Sequence, residues 1–491
     1  MRQSGILLHL TSLPGPEGIG TMGQEAREFV DFLQASGMAI WQVLPISPTG
    51  YGESPYQSFC SFAGNPLLID LHTLEQEGLL APQAPPDFGS PDQVDYPKVI
   101  AWKTHRLRDA FQQSADQLHP ALDDFLQQHG SWLNDYALFM AAKQHFGGGS
   151  WMEWPNEPLR MRYPEAMAHY SQLFKAEIEY QVFVQYLFFR QWHQLKQYAN
   201  ERGIHLFGDM PIYVALDSSD CWASPQYFQL DNSRRPLYIA GVPPDYFTQD
   251  GQLWGNPVYD WKALKKDGYR WWIARLGAMA SFFDLLRIDH FIGFANYYAV
   301  RAGARNARYG NWRIGPGRGF FDVVKRELPH LRIIAEDLGV VKPRVSKLLR
   351  YCGYPGMKVL TFAFGGEKEN QHLPSNIPTR CAYYTGTHDN DTVLGWWSKA
   401  DKKEKALVTR LLGVKKESDL CDIMARTVYG SVAQYAIVPM QDILELGESA
   451  RMNTPGTLGG NWLWRMQDGQ LTKALYSRLA AMNKEYERTS T

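Results

Sequence analysis

Cysteine is scarce in this chain. The five cysteines, at positions 60, 221, 352, 381 and 421 of 491 residues, form no CxxC pair and no Cys/His zinc spacing. That excludes a disulfide framework and a zinc ribbon and suits a reducing cytoplasm. Long apolar runs are also missing: no stretch approaches the roughly 18 apolar residues of a spanning helix, and His9 breaks the first apolar segment. Neither a membrane span nor an export segment is expected. Charge of one sign is lacking too, since 50 basic side chains meet 51 acidic ones and leave a net charge of -1. An electrostatic grip on nucleic acid is thereby excluded. There is no glycine-rich phosphate loop with its lysine, no internal repeat and no low-complexity tract. What is there is a 45% hydrophobic chain, long enough for a large core, with 16 Trp and 26 Tyr. That exceeds what a core requires and points to flat apolar ligands, sugar rings among them.

At about 150 residues per domain, the length allows two or three units or one large barrel with insertions. Eight short apolar, β-branched runs recur, at 5–10, 39–46, 205–210, 285–290, 331–336, 357–364, 382–389 and 435–440. Amphipathic helical patterns lie between many of them, as at 22–36, 320–328 and 342–351. Strand then helix, repeated in this way, implies an α/β chain closed into a (β/α)8 TIM barrel; an open doubly wound sheet is the competing arrangement. Runs such as RIIA at 332–335 suit strands buried on both faces.

Two gaps are too long for loops and read as insertions. Residues 71–192 predict a mainly helical insertion between strands two and three. Helical patterns fall there in AWKTHRLRDAFQQ, HPALDDFLQQH and SWLNDYALFMAAKQHF, with a last, aromatic helix over 176–200. Residues 215–261, dense in Pro, Gly, Asp and Tyr, predict a smaller flap between strands three and four that covers the barrel mouth. The barrel takes 1–70 and 193–491. After the eighth run roughly 50 residues remain, too few for a C-terminal β-sandwich.

In such a barrel the functional side chains sit at the C-terminal ends of strands. Four runs close on a carboxylate: Asp209 in FGDMPIY, Asp289 in LLRIDH, Glu336 in IIAED and Asp389 in YYTGTHDN. One such acid can be a helix N-cap; four together ask for chemistry. Arg287 and Asp289 lie two apart and share a strand face, so the guanidinium can steady the carboxylate as an ion and depress its pKa, as a nucleophile requires. Glu336 follows Ile-Ile-Ala, a setting that raises a carboxyl pKa and keeps a proton available. Opposed tuning of two carboxyls, about 5 to 5.5 Å apart, is the basis of glycosidic-bond chemistry with retention through a covalent intermediate. The alternative is a metal site in which Asp209, Asp289 and Glu336 hold Mg²⁺, although the aromatics fit sugar better than phosphate. His290 and His388 flank two of the acids, either as structural histidines or as donors to sugar hydroxyls.

RIDHF around Asp289, AEDLG around Glu336 and THDN around Asp389, in that order, resemble the active-site segments of the α-amylase superfamily. SGILLHLTSLPG, GYGESPYQSFCSFAGNP, GDMPIYV, GVPPDYF, GQLWGNPVYDW, RMNTPGT and NWLWR narrow this: they are similar to segments of the 4-α-glucanotransferases called amylomaltase or disproportionating enzyme. The resemblance spans nearly the whole chain, with little signature in 71–175. It implies transfer of an α-1,4-glucan segment between maltooligosaccharides, or to glucose, with no cofactor and no essential metal. Carried over motif by motif, it makes Asp289 the nucleophile, Glu336 the acid/base and Asp389 the acid that holds the distorted sugar. Asp209, Arg287, His290 and His388 form the rest of the shell.

Transfer must disfavour water, by a covered site and a well-bound acceptor. The flap residues Tyr246, Phe247, Gln252 and Trp254 are expected to provide the cover, Trp254 as a stacking platform on the acceptor side and Gln252 as a hydroxyl partner. Tyr56 with Ser54 is expected on the donor side, Tyr51 at a more distant glucan contact, and Asn461 at a substrate hydroxyl or in a turn. Ordinary loop packing is the competing reading for each. Two other functions stay open: an α-glucan hydrolase using the same carboxylates, and a noncatalytic glucan-binding protein. Relative to longer amylomaltases the chain begins directly at SGILLHLTSLPG, so no amino-terminal extension is expected.

Overall fold

The computed structural model describes residues 2–244, 249–339, 342–457 and 459–488. Twelve strands occur among them: β1 Gln3–Leu7, β2 Ile40–Gln42, β3 His205–Pro211, β4 Tyr238–Val242, β5 Gln252–Pro257, β6 Leu285–Asp289, β7 Asn296–Arg301, β8 Asn311–Ile314, β9 Ile333–Ala335, β10 Gly356–Val359, β11 Cys381–Tyr384 and β12 Tyr435–Pro439. Eight of them pair in the order β10-β11-β12-β1-β2-β3-β6-β9, every pairing parallel. All residues of β10, β11 and β12 are buried, which follows from a barrel lined inside by packed side chains and covered outside by helices. The two end strands meet as well. The Ala335 N–H donates to the Pro355 carbonyl at 2.8 Å, and the Met357 N–H donates to Asp337 Oδ1 at 2.7 Å. The (β/α)8 barrel expected from the eight apolar runs is therefore what forms.

Most of the strands are shorter than the runs that announced them, β3 excepted. Ladder pairing stops at Ala335 in β9 and at Tyr384 in β11, and the polar ends of both runs continue as loops at the mouth. The 357–364 run divides, with strand to Val359 and then a 3-10 turn over Leu360–Phe364.

Between β2 and β3 the chain is helical. A single helix, Tyr96–His145, runs straight through Pro120, where the sequence showed separate patterns. Proline lacks the N–H that would reach the Asp116 carbonyl, a loss of about 3 kcal/mol in a helix interior. Pro120 lies on the exposed side, so its ring meets water rather than the core. Beyond it the helix is held by an aromatic layer against the helix Lys175–Glu201. Phe125 lies 5.2 Å and Trp132 5.9 Å from Phe189, centroid to centroid. The second helix is locked to the barrel by two glutamines. Gln185 exchanges hydrogen bonds with the Gly64 backbone at 2.8 and 2.9 Å, and Gln191 does the same with Asp70. Position 64 must be glycine, because a Cβ there would stand 1.9 Å from the Phe188 ring.

The flap is a four-stranded antiparallel sheet in the order β5-β4-β7-β8. Only β4 and β5 come from 215–261. The other half, β7 and β8, follows β6, a contribution that the turn-rich text before β6 did not announce. Among the described residues no strand follows Pro439. The helix Lys473–Glu485 instead packs on the helix Gln24–Ala35, and the buried Arg488 guanidinium donates to the carbonyls of Gln3, Tyr429, Ser431 and Ala433 beneath the barrel. Among the described residues no helix is long and apolar enough to cross a membrane.

Candidate active site

Registry between β3 and β6 sets Asp209 opposite Arg287 and Pro211 opposite Asp289. Neighbouring parallel strands in register share a face, and residues two apart on one strand do too, so Asp209, Arg287 and Asp289 converge at one place. The Arg287 guanidinium donates to Asp209 Oδ2 at 2.5 Å and to Asp289 Oδ1 at 2.7 Å. Its side chain is 4% exposed and that of Asp289 29%, so the cation lies deeper than the carboxylate that reaches the opening. Burial acts to lower the Arg287 pKa, but the Asp209 and Asp289 charges outweigh it and hold the value well above the ordinary one. The guanidinium thus occupies the place that a cation shared by these two carboxylates would need, which disfavours the Mg²⁺ reading. Burial pushes the Asp209 carboxyl up, and among the described residues its buried Oδ1 meets no hydrogen-bond partner.

Glu336 follows β9, one residue past the ladder. Its Oε1 accepts from the Leu338 N–H at 2.6 Å and its Oε2 from the His290 N–H at 2.7 Å. His290 adopts a left-handed conformation with φ of 51°, which turns the chain away from the strand direction immediately after the amide that meets the carboxyl. Burial, with the Asp289 charge next, pushes the Glu336 pKa up to about 8. The two carboxyls therefore sit in one electrostatic field, and at neutral pH Glu336 keeps its proton.

Asp389 lies in a turn braced by Asn390, whose Oδ1 accepts from the Thr387 N–H at 2.8 Å. Beside it, His388 Nε2 stands 3.4 Å from Asp389 Oδ1 and 2.8 Å from the Tyr56 hydroxyl, which donates to Asp209 Oδ2 at 2.7 Å. With the proton on Nε2, a chain of hydrogen bonds runs from His388 through Tyr56 to Asp209. The Tyr56 and His388 rings also stack, 5.2 Å apart. On the flap, the Trp254 and His290 rings meet edge to face at 4.9 Å and 88°, and the Trp254 indole N–H donates to Gln252 Oε1 at 3.2 Å.

The candidates Asp209, Asp289, Glu336, Asp389, Arg287, His290, His388 and Tyr56 are thus linked by direct contacts, with Trp254 and Gln252 above them. Two candidates are engaged locally instead. The Ser54 hydroxyl accepts from the Tyr56 N–H at 3.3 Å. The Asn461 amide braces its own loop, accepting from Thr454 N–H at 2.9 Å and donating to Thr457. Tyr246, Phe247 and the Tyr51 side chain lie outside the described residues. Arg451 and Asn453, which touch Asp389, lie in the RMNTPGT segment that carried part of the resemblance but were given no role from the sequence. The RMN segment that holds them lies past the eighth apolar run, where a polar residue facing the mouth was the available signal.

A family model described as 4-alpha-glucanotransferase matches residues 8–472. The 4-alpha-glucanotransferase of Thermus thermophilus is 46% identical, with 99% of each chain covered. That of Streptococcus pneumoniae serotype 4 is also 46% identical, covering 99% of this chain and 97% of its own. Among solved structures, an amylomaltase from Streptococcus agalactiae in complex with acarbose is similar at a TM-score of 0.96 and 40% identity, each chain covered in full. With acids arranged in this way and likeness running from end to end, the chain belongs to the 4-alpha-glucanotransferase family and is an enzyme that transfers segments of α-glucan.

Proposed function

We propose that transfer proceeds with retention, through a glucan esterified to Asp289. In the first half, Glu336 gives its proton to the departing glycosidic oxygen while Asp289 attacks the anomeric carbon; the carbon–oxygen bond to the leaving sugar breaks and the ester forms. In the second, Glu336, now ionised, takes the proton of an incoming 4-hydroxyl, whose oxygen displaces Asp289. The observation that carries this reading is the pairing of unlike carboxyls: Asp289 neutralised by Arg287, and Glu336 held protonated to about pH 8 against the amide of the next residue.

The rest of the shell fits a distorted glucose. The unpartnered Asp209 Oδ1 is a ready acceptor for a hydroxyl, and no hydrogen bond among the described residues falls on Asp389 Oδ2. His290 and His388 are assigned to hydroxyls of the same sugar. Trp254 is assigned to the acceptor side, with Gln252 holding its indole. The acceptor is another maltooligosaccharide or glucose. The helical insertion is assigned to 71–192 and the flap to 215–261 together with β7 and β8. We place the reaction in the cytoplasm, a reading supported by five buried cysteines that form no disulfide.

Incubation with pure maltotriose tests the reading. A ladder of longer and shorter products with a constant count of reducing ends is expected. Growth of reducing ends with only glucose and maltose accumulating would mean that water is the acceptor.

A further inference from the structure

The HDN turn that carries His388 and Asp389 is gripped by a segment that follows β12. The Asn453 side-chain N–H donates to Asp389 Oδ1 at 2.7 Å, and the Asn453 backbone N–H donates to the His388 carbonyl at 3.1 Å. Arg451 spans both backbones, donating through Nε to the Asn453 carbonyl and through Nη2 to the Asp389 carbonyl, each at 2.8 Å. The two ends of the turn are tied from the same side. Buried Asp442 accepts from the Thr385 hydroxyl at 2.6 Å and from the Val393 N–H at 2.8 Å.

These contacts differ in kind. Those from Asp442 and Arg451 reach hydroxyl or backbone groups and fix where the turn lies. The Asn453 amide reaches a functional oxygen, on a carboxylate that is 42% exposed. A neutral donor there suits the site: it orients the Asp389 carboxylate without adding a counter-charge. The Asn453 hydrogen bond and the 3.4 Å approach of His388 Nε2 both fall on Oδ1, which leaves Oδ2 without a hydrogen bond from the described residues.

We propose that Asn453 is a positioning residue for Asp389, with Arg451 as its brace, so that the post-β12 segment sets the third carboxylate against the distorted sugar. The inference rests on the reading of Asp389 given above. An acid that acts on the distorted ring is needed more in the transition state than in the bound substrate, so its misplacement lowers kcat more than it raises KM. Displacement of about 1 Å at such a group costs on the order of 100-fold in rate.

The test compares the full-length enzyme with N453A, N453D and D389N on maltotriose, following kcat, KM and their pH profiles. In N453A, kcat is expected to fall about 100-fold with KM within a few-fold of the parent. N453D places a second carboxylate on Asp389, in a setting that already holds His388, Arg451, Tyr56 and Asp391. Its kcat is expected to fall further at neutral pH and to recover relative to N453A as the pH is lowered and the pair shares a proton. A purely structural role does not produce that difference in profile. If N453A keeps kcat within twofold while D389N loses turnover, the positioning role is overturned and the Asp389 reading stands. If the N453A and N453D profiles superimpose after scaling, the positioning role is likewise overturned. If D389N keeps its turnover, the Asp389 reading fails and takes this inference with it. Should the Asn453 variants lose their fold, Arg451→Lys serves: it keeps the charge but cannot span both carbonyls, so a lowered kcat supports the brace and an unchanged one overturns it.

Discussion

The backbone N–H of His290 donates to Glu336 Oε2 at 2.7 Å, so the residue after Asp289 holds the carboxyl proposed to deliver a proton to the glycosidic bond. Burial and the Asp289 charge push that carboxyl to about 8. Glu336 is protonated below this value and ionised above it. The basic limb of kcat/KM is therefore expected to bend near pH 8, and in E336Q that limb should disappear along with most activity on glucans. Rates against pH with maltotriose as donor check this, and a basic limb that survives in E336Q would assign it to another group.

The same shift predicts an effect on stability. A carboxyl whose folded pKa lies above its unfolded value of about 4.5 binds its proton more tightly in the native state. Its stabilisation is present in full below the unfolded value and is lost as the pH rises toward 8. Glu336→Gln, neutral at every pH, should thus be more stable than the parent at pH 7 to 8, by about 3 to 4 kcal/mol. The two should converge near pH 4. Urea titrations at both pH values measure the difference.

Arg287 sits between two carboxylates and is itself nearly buried. Removing it in Arg287→Met strips the buried Asp209 of its counter-charge, a change that costs about 3 to 5 kcal/mol. A loss of that size in urea, together with loss of turnover, is expected. Arg287→Lys should recover part of the stability and little of the activity, because an ammonium cannot make both planar contacts at once.

Much of this arrangement was legible in the sequence because barrel strands are buried on both faces, and a carboxylate at the end of an apolar run stands out. Asp209, Asp289 and Glu336 announced themselves in this way, and Arg287 by its spacing of two from Asp289. What escaped was whatever depends on contacts far apart in sequence. β7 and β8 join the flap only through pairing with β4, and nothing in NYYAVR shows that its partner lies before β6. Asn453 reaches Asp389 across 64 residues. The continuity of Tyr96–His145 was hidden for a different reason: Pro120 argues locally for a break, and aromatic packing against Lys175–Glu201 overrides it.

Pro120 supplies a prediction away from the site. Pro120→Ala restores the missing amide in an exposed helix interior and should stabilise the insertion by about 1 to 3 kcal/mol. Transfer of maltotriose should be unchanged. Thermal melting and product analysis of the variant check both parts.

Trp254 tests the partition between sugar and water. Its ring packs edge to face with His290 at the mouth, and Trp254→Ala removes the platform assigned to the acceptor. The rate of transfer should fall about tenfold or more, a loss of roughly 1.4 kcal/mol in transition-state binding, while release of reducing ends rises as a share of turnover. Equal losses in both channels would remove Trp254 from the acceptor side.

The most direct measurement is to trap the intermediate. An α-maltosyl fluoride whose transferable 4-hydroxyl is blocked needs no acid for its leaving group, so E336Q can still be glycosylated but lacks the base that frees the sugar. Mass spectrometry of the digested protein should then find one maltosyl group esterified to Asp289. A sugar bonded to any other residue, or turnover to products of inverted configuration with no adduct, would contradict the account.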